Sequence, residues 1–173
     1  FGNYIAGHDA LARALELSPR KQSILYEIAL NAEARGDADA VFRALKMAYE
    51  AEPANVQARV FYASALIRTN NYSLSDEILA PIIPSGAAAD PRIAAAYLAG
   101  KRYDKIAFVW EARVKAEPLD SEVYFTLAAA YYAQGNSAKA IATLEAASSI
   151  SPTVAQQAAS FIQQIRSGTV QLQ

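Results

Sequence analysis

The sequence predicts an all-α fold in which about ten antiparallel helices stack as a repeat array. Four prolines near expected helix ends, Pro19, Pro53, Pro118 and Pro152, are separated by 34, 65 and 34 residues. The middle interval is two periods of 34 residues shortened by three. Many of the 39 alanines among the 173 residues recur in phase with this period. Such a period is typical of a unit of two helices that packs against identical neighbours.

The period also fixes which residues pack between helices. With each proline at position 32 of the unit, positions 8, 20 and 27 tend to be small, because helix axes cross there. Positions 4, 7, 11 and 24 tend to be large, because they fill the space between helices. In residues 22–55 these positions hold Leu25, Ile28, Ala29, Ala32, Val41, Leu45 and Ala48. In residues 121–154 they hold Tyr124, Leu127, Ala128, Tyr131, Ala140, Leu144 and Ala147.

This pattern resembles the tetratricopeptide repeat family over nearly the whole chain. The resemblance implies a right-handed tetratricopeptide α-solenoid over residues 1–168, followed by a tail at 169–173. Its expected parts are a half-repeat at 1–21, full repeats at 22–55, 56–86, 87–120 and 121–154, and a half-repeat at 155–168.

Helix ends are predicted from caps and helix-breaking residues. Gly36 and Gly135 fall in turns where a helix C-cap favours positive φ, and Asn70 lies in the equivalent turn of the next repeat. Asp90 followed by Pro91 is typical of an N-cap with proline at the first helical position. We expect helices over 4–17, 22–35, 38–51, 56–69, 72–80, 91–99, 103–116, 121–134, 137–150 and 155–167.

One segment interrupts the register. Residues 81–89, PIIPSGAAA, contain two prolines and a glycine and cannot continue a helix. Because the repeat phase resumes directly afterwards, we expect a local change of superhelical curvature and no domain boundary.

Composition excludes much chemistry. The chain has 16 basic and 17 acidic residues, no Cys and one His, His8, so we expect no nucleic-acid partner, no metal site and no cofactor. The longest nearly apolar run, 123–133, is too short to cross a membrane. No nucleophile has a nearby base candidate apart from His8, whose repeat position points away from the packing seam, so the protein is predicted not to be an enzyme. Asn71 begins an N-glycosylation motif, which is weak evidence by itself.

The family resemblance implies a concave groove lined by positions 2, 5, 9, 12 and 13 of each first helix. Carried over to this sequence, the groove-binding residues are Tyr26, Leu30, Val60, Ile67, Phe125 and Tyr132. Family members that grip acidic tails place Lys and Asn at such positions, so a carboxylate clamp is not expected. The apolar, aromatic groove suits an amphipathic helix or an extended apolar segment of a protein partner. Alternatively, these side chains pack against one another.

Both ends of the chain are half-repeats cut in the same turn. One interpretation is truncation of a larger protein, with the last helix as an ordinary polar cap. The other is that the first helix of one copy completes the repeat of the next, which could build an open filament. The expected end-to-end interface joins Tyr4, Gly7 and Leu11 to Phe161, Ile162 and Ile165.

A second resemblance concerns residues 90–152 and the run ASFIQQIRSG that follows shortly after. They are similar to the C-terminal repeats of bacterial proteins that carry an O-antigen-ligase-like membrane domain. That similarity implies a bacterial source and an extracytoplasmic or cell-surface location. Our leading interpretation is a non-enzymatic protein-interaction scaffold, a fragment or processed part of a larger protein. The alternative is a self-assembling structural subunit, and a weaker third option is an accessory domain of an enzyme.

Overall fold

The predicted all-α class is confirmed. A computed structural model describes residues 4–170, with side chains from residue 10 onward, and this part of the chain contains no β-strand. Its helices are α1 (Tyr4–Leu17), α2 (Gln22–Ala34), α3 (Ala38–Ala51), α4 (Val56–Arg68), α5 (Tyr72–Leu79), α6 (Pro91–Ala99), α7 (Tyr103–Ala116), α8 (Ser121–Ala133), α9 (Ser137–Ala147) and α10 (Pro152–Ser167). Short turns join the helices from α1 to α5 and those from α6 to α10, and successive helices within each of these two runs pack against each other as antiparallel neighbours.

The expected boundaries agree with these helices to within three residues. The largest differences flank the last turn, where α9 ends at Ala147 and α10 begins at Pro152 instead of residue 155. Ser151 explains the early start, because its hydroxyl accepts a hydrogen bond from the Val154 amide at 3.2 Å and so forms an N-cap. Proline fits the first helical position because the N–H group that it lacks would have no acceptor within the helix there. The helix α10 therefore begins directly after this cap.

Turn residues behave largely as the sequence predicts. Gly36, Gly135 and Asn70 have φ values of 71°, 78° and 61°. The Asp90 carboxylate accepts from the Arg92 amide at 2.8 Å, which confirms that N-cap. Lys101, with φ of 53°, takes the equivalent turn between α6 and α7 and was not expected there, because lysine has no special preference for left-handed backbone.

The chain divides into two compact units, Phe1–Leu79 and Ala80–Gln173. The division falls at the start of the proline-rich segment, where we expected a continuous array with no domain boundary. Ala80–Ile82 forms a short 3₁₀ helix in place of a continued α5. The limits of the individual repeats stay a prediction.

The first unit, α1 to α5, has its core between paired helices. Leu25 and Ala32 of α2 and Ala44 and Ala48 of α3 are buried. Ser75 of α5 stands at position 20 of its repeat, which tends to be small, and is fully buried, and its hydroxyl lies 3.4 Å from the Ala63 carbonyl oxygen. In α4, residues 62–67 are all buried. Six consecutive buried positions exceed one helical turn, so this part of α4 is covered on every side.

The second unit contains the proline-rich segment and α6 to α10. The segment is packed, since Ile82, Gly86 and Ala88 are buried. Gly86 has φ of 76°, and a Cβ atom there would lie 2.9 Å from Arg113 Cδ and 3.0 Å from Arg113 Cα. Glycine therefore serves both the left-handed backbone and the close approach to α7.

Candidate functional site

In the first unit, aromatic and apolar side chains line one side of α2 and α4. Tyr26 and Leu30 are four residues apart and therefore share a face of α2. The Tyr26 ring meets Phe61 of α4 edge-on, with centroids 5.0 Å apart and an interplanar angle of 75°. Leu30 is 58% exposed. We call Tyr26, Leu30 and Phe61 the α2–α4 face.

An ion pair and a cavity lie near the end of α2 and α4. The guanidinium of Arg68 and the carboxylate of Glu33 are 3.8 Å apart, and both side chains are largely exposed. A cavity of about 180 Å³ is lined by these two residues and by Val41, Phe42 and Ala65, among others. Exposed ion pairs contribute little to stability, so a ligand that displaced this pair would lose little free energy by doing so.

The Tyr26 hydroxyl is the unusual atom of this face. It is buried, and it finds no hydrogen-bond partner among the residues that the structure describes. Burial raises the pKa of Tyr26 above its ordinary value, and the negative charge of Glu52 raises it further. Buried polar atoms nearly always have a partner, so a buried hydroxyl without one is an exception among the described residues.

Two predicted groove residues of the first unit are not accessible. Val60 is 4% exposed and Ile67 is 1% exposed. Their positions on α4 were expected to face a groove, but both side chains are buried and belong to the core. For these two residues the alternative that the side chains pack against one another is the better interpretation.

In the second unit, α8 and α10 bring together residues expected at different sites. Phe125 of α8 lies against Phe161 of α10, with ring centroids 5.6 Å apart and an interplanar angle of 51°. Tyr132, seven residues after Phe125, is half-buried on the same side of α8. We call Phe125, Tyr132 and Phe161 the α8–α10 face. Phe125 was expected in the groove and Phe161 in an end-to-end interface, so the two expectations meet in one aromatic pair.

The other expected interface residues are dispersed. Ile162 is only 9% exposed and packs into its own unit, whereas Phe161 is 45% exposed. Ile165 and Leu11 are half-buried. The Tyr4 and His8 side chains and the surroundings of Gly7 lie outside what the structure describes, which for residues 4–9 is the backbone alone.

A polar cluster that sequence reasoning missed lies between α7, α8 and α9. The Tyr131 hydroxyl donates a hydrogen bond to the Glu111 carboxylate, and Lys139 Nζ lies 4.9 Å from the centre of the Tyr131 ring. Burial, the hydrogen bond and the charge of Glu111 raise the pKa of Tyr131 to about 12. The residues come from separate helices, and no local motif indicates their contact.

Within the part of the chain that the structure describes, no three His, Cys, Asp or Glu side chains are grouped to hold a metal ion. A search of the same residues for a helix long and apolar enough to cross a bilayer found none. Both faces offer contact surface and hydrogen-bonding groups, which serve binding.

These features define the class of the protein as a helical-repeat protein with two apolar faces, one on α2 and α4 and one on α8 and α10. Two models of the tetratricopeptide repeat match the chain, at residues 32–99 and 121–154. The chain belongs to the tetratricopeptide repeat family over these two stretches, which together span more than half of its length. Comparison with curated proteins gave no match.

Solved structures show the same fold. A crystal structure of the MamA protein matches with a TM-score of 0.62 and 16% identity, over 90% of this chain and 86% of that one. Two structures of MamA AMB-1 match with 16% identity and TM-scores of 0.56 and 0.52, over 86% and 87% of this chain and 90% of each of those chains. At this identity the likeness concerns the fold alone. The expected similarity to O-antigen-ligase-like proteins stays a prediction.

Proposed function

We propose that this chain is a non-enzymatic scaffold that binds protein partners through its α2–α4 face and its α8–α10 face. The observation that carries the proposal is the α2–α4 face, where Leu30 is exposed beside the Tyr26–Phe61 pair. Partly exposed aromatic rings supply much contact area at low entropic cost, which is why they recur at protein interfaces. The membership of the tetratricopeptide family supports the same conclusion, since repeat arrays present extended binding surfaces.

The α8–α10 face is the second binding surface in this proposal. Phe125, Tyr132 and Phe161 give it the same character as the α2–α4 face, with aromatic rings on successive first helices. The partner is a polypeptide segment with apolar side chains. Balanced overall charge gives no reason to expect nucleic acid.

Site-specific photocrosslinking tests this proposal. A benzophenone amino acid replaces Leu30 in one variant and Phe108, on α7, in the control. The native Leu30 and Phe108 side chains are 58% and 56% exposed, so the test position and the control position match in accessibility. In an extract of the source organism we expect discrete crosslinked polypeptides from position 30 that are absent from position 108. The same products from both positions would show non-specific contact and reject this surface.

A second candidate function is head-to-tail self-association. The exposure of Phe161 and the partial exposure of Ile165 on α10 favour it, together with half-buried Leu11 on α1. Joining α10 of one copy to α1 of another would bury these apolar side chains. Such a contact is heterologous and can continue from copy to copy.

Two blocking variants separate this candidate from groove binding. Leu11→Asp and Ile165→Asp each place a charge in the proposed joint and avoid Phe161, which also contacts Phe125. In sedimentation we expect the unmodified chain to form long assemblies and each variant alone to stay monomeric. A mixture of the two variants keeps one intact joint and should stop at dimers. A wild-type chain that stays monomeric at high concentration, or assemblies that persist in the variants, would overturn the candidate.

A further inference from the structure

The first unit contains a second cavity, which lies between α3, α4 and α5 and has a volume of about 480 Å³. The helices α3 and α5 both pack against α4 but scarcely against each other, so a gap remains between them. Tyr62 of α4 forms the floor of this gap. Its walls are Tyr49 of α3 and the side chains of Leu74 and Ile78 on α5. Sites for small organic ligands have volumes of about 300–1,000 Å³, and this cavity is of that size.

The aromatic floor and wall of the cavity are held in place by their neighbours. The Tyr62 and Tyr49 rings are stacked, with centroids 5.4 Å apart and an interplanar angle of 28°. Phe42 meets the Tyr62 ring edge-on, with centroids 5.6 Å apart. Arg59 lies over the Tyr49 ring and donates a hydrogen bond to the Ile78 carbonyl at 2.9 Å, so it connects the two walls. Rings that are fixed in this way are preorganised to receive an aromatic ligand.

The hydroxyl of Tyr62 is the polar group at the bottom of the cavity. Tyr62 is only 4% exposed, yet its hydroxyl forms no hydrogen bond with any residue that the structure describes. Burial raises the pKa of Tyr62, the charge of Lys46 lowers it and the charge of Glu50 raises it. Lys46 and Glu50 both line the cavity, so the hydroxyl lies on the cavity side of the ring. A buried hydroxyl without a partner costs free energy, and a ligand that supplies a hydrogen-bonding group removes that cost.

The charges that line the cavity favour a cation. Lys46 and Glu50 are paired, with the ammonium nitrogen and a carboxylate oxygen 3.6 Å apart. Glu77 of α5 also lines the cavity and is exposed, and it has no ion-pair partner among the residues that the structure describes. The Arg59 guanidinium is not part of the lining. One negative charge is therefore left uncompensated beside aromatic rings, an environment that attracts an ammonium group.

We propose that this cavity is a binding site for a small phenolic amine, a molecule with a ring hydroxyl at one end and an ammonium group at the other. The aromatic ring of the ligand lies against Tyr49, Leu74 and Ile78. Its hydroxyl forms a hydrogen bond with the Tyr62 hydroxyl at the floor, and its ammonium pairs with the exposed Glu77 carboxylate. The site includes no residue of the α2–α4 face or the α8–α10 face, so it is a function beyond the binding of protein partners.

Isothermal titration calorimetry of the full chain with three related compounds tests the site. Tyramine carries the ring, the hydroxyl and the amine, whereas phenethylamine lacks the hydroxyl and 4-ethylphenol lacks the amine. We expect phenethylamine to bind about five- to tenfold more weakly than tyramine, because one hydrogen bond is lost. We expect 4-ethylphenol to bind at least about tenfold more weakly, because the charged pair is lost. No binding of tyramine at millimolar concentration would overturn the proposal.

Two variants each remove one group of the site. Tyr62→Phe should weaken tyramine about five- to tenfold and leave phenethylamine unchanged, since that compound has no hydroxyl to lose its partner. Glu77→Gln should weaken both amines at least about tenfold and leave 4-ethylphenol unchanged. Glu145→Gln, at an exposed glutamate of α9, is the matched control and should change none of the three affinities.

The pattern across compounds and variants decides the outcome. A loss that is confined to the compounds carrying the matching group supports the assigned contact, because a distorted or unfolded cavity would weaken all three compounds alike. Equal losses for all three compounds, or tyramine binding that both variants leave unchanged, would overturn the site. The measurement needs no protein partner, so its failure would leave the proposed scaffold function standing.

Discussion

Tyr26 of the first unit and Tyr131 of the second differ in one atom's environment. Both lie on first helices of a repeat, at positions 5 and 11, and both have a raised pKa. The Tyr131 hydroxyl donates to Glu111, so the residue fastens α8 to α7. The Tyr26 hydroxyl has no such acceptor among the described residues. A buried hydroxyl that has an acceptor supports the core, whereas a buried hydroxyl without one costs free energy.

Two glycines at positive φ, Gly36 and Gly86, differ in what surrounds them. Gly36 of the first unit has no atom within 4 Å of the place where a Cβ would stand, whereas Gly86 of the second is pressed against Arg113 and Ala116. One glycine is needed only for its backbone conformation. The other is needed both for its conformation and for space, because α7 lies against it.

The largest expected effect sharpens that glycine comparison. Gly86→Ala adds left-handed strain and a clash with α7, and should lower the free energy of unfolding by about 3 kcal/mol. Gly36→Ala adds only the strain and should lower it by about 1 kcal/mol. Denaturant unfolding of the two variants measures the difference. Equal losses would show that the segment at 80–89 can shift away from α7 at no cost.

Tyr131→Phe should have the next largest effect. It leaves the partly buried Glu111 carboxylate without its donor, and we expect a loss of about 2 kcal/mol in the free energy of unfolding. The measurement is denaturant unfolding at neutral pH beside Tyr26→Phe. Losses of the same sign and size in both variants would erase the contrast between the two tyrosines.

The pH dependence tests the same hydroxyl through its proton. The pKa of Tyr131 is about 12 in the folded chain and about 10 when unfolded, so the contribution to stability is complete below pH 10. It is lost as pH rises from 10 to 12, because the unfolded chain then releases a proton that the folded chain retains. The stability difference between wild type and Tyr131→Phe should shift against wild type by on the order of 1–2 kcal/mol across this range. A constant difference would contradict the raised pKa.

The smallest expected effect concerns Lys139. Its ammonium lies over the Tyr131 ring, and Lys139→Gln should lower the free energy of unfolding by about 0.5 kcal/mol. Lys115→Gln, an exposed lysine on α7, serves as the control and should be close to neutral. If the two variants lose the same amount, the cation adds nothing to the cluster.

Helix ends were predictable because their causes are local. Asp90, Gly36 and Gly135 act on backbone groups within a few residues, and such signals can be read from the sequence directly. The start of α10 was placed three residues late because Ser151 was not recognised as its cap. The turn at Lys101 was not predictable, because lysine has no special preference for the left-handed backbone that this turn requires.

The candidate site was predictable only in part. Leu30 and Tyr26 lie on one side of α2 by helical spacing alone, and the structure leaves Leu30 exposed. The same positional rule placed Val60 and Ile67 in the groove, yet both are buried. The repeat register predicts which side of its own helix a side chain occupies. Whether that side chain is buried depends on which other parts of the fold pack against that side.

The sequence by itself determined the repeat period, the all-α class and nearly every helix boundary, because these follow from periodicity and from short-range capping. Only the tertiary structure decided that Phe125 meets Phe161 and that Glu111 accepts from Tyr131, whereas the Tyr26 hydroxyl has no acceptor among the described residues. Those relations join residues on different helices. They depend on the packing of whole elements, which no local pattern encodes.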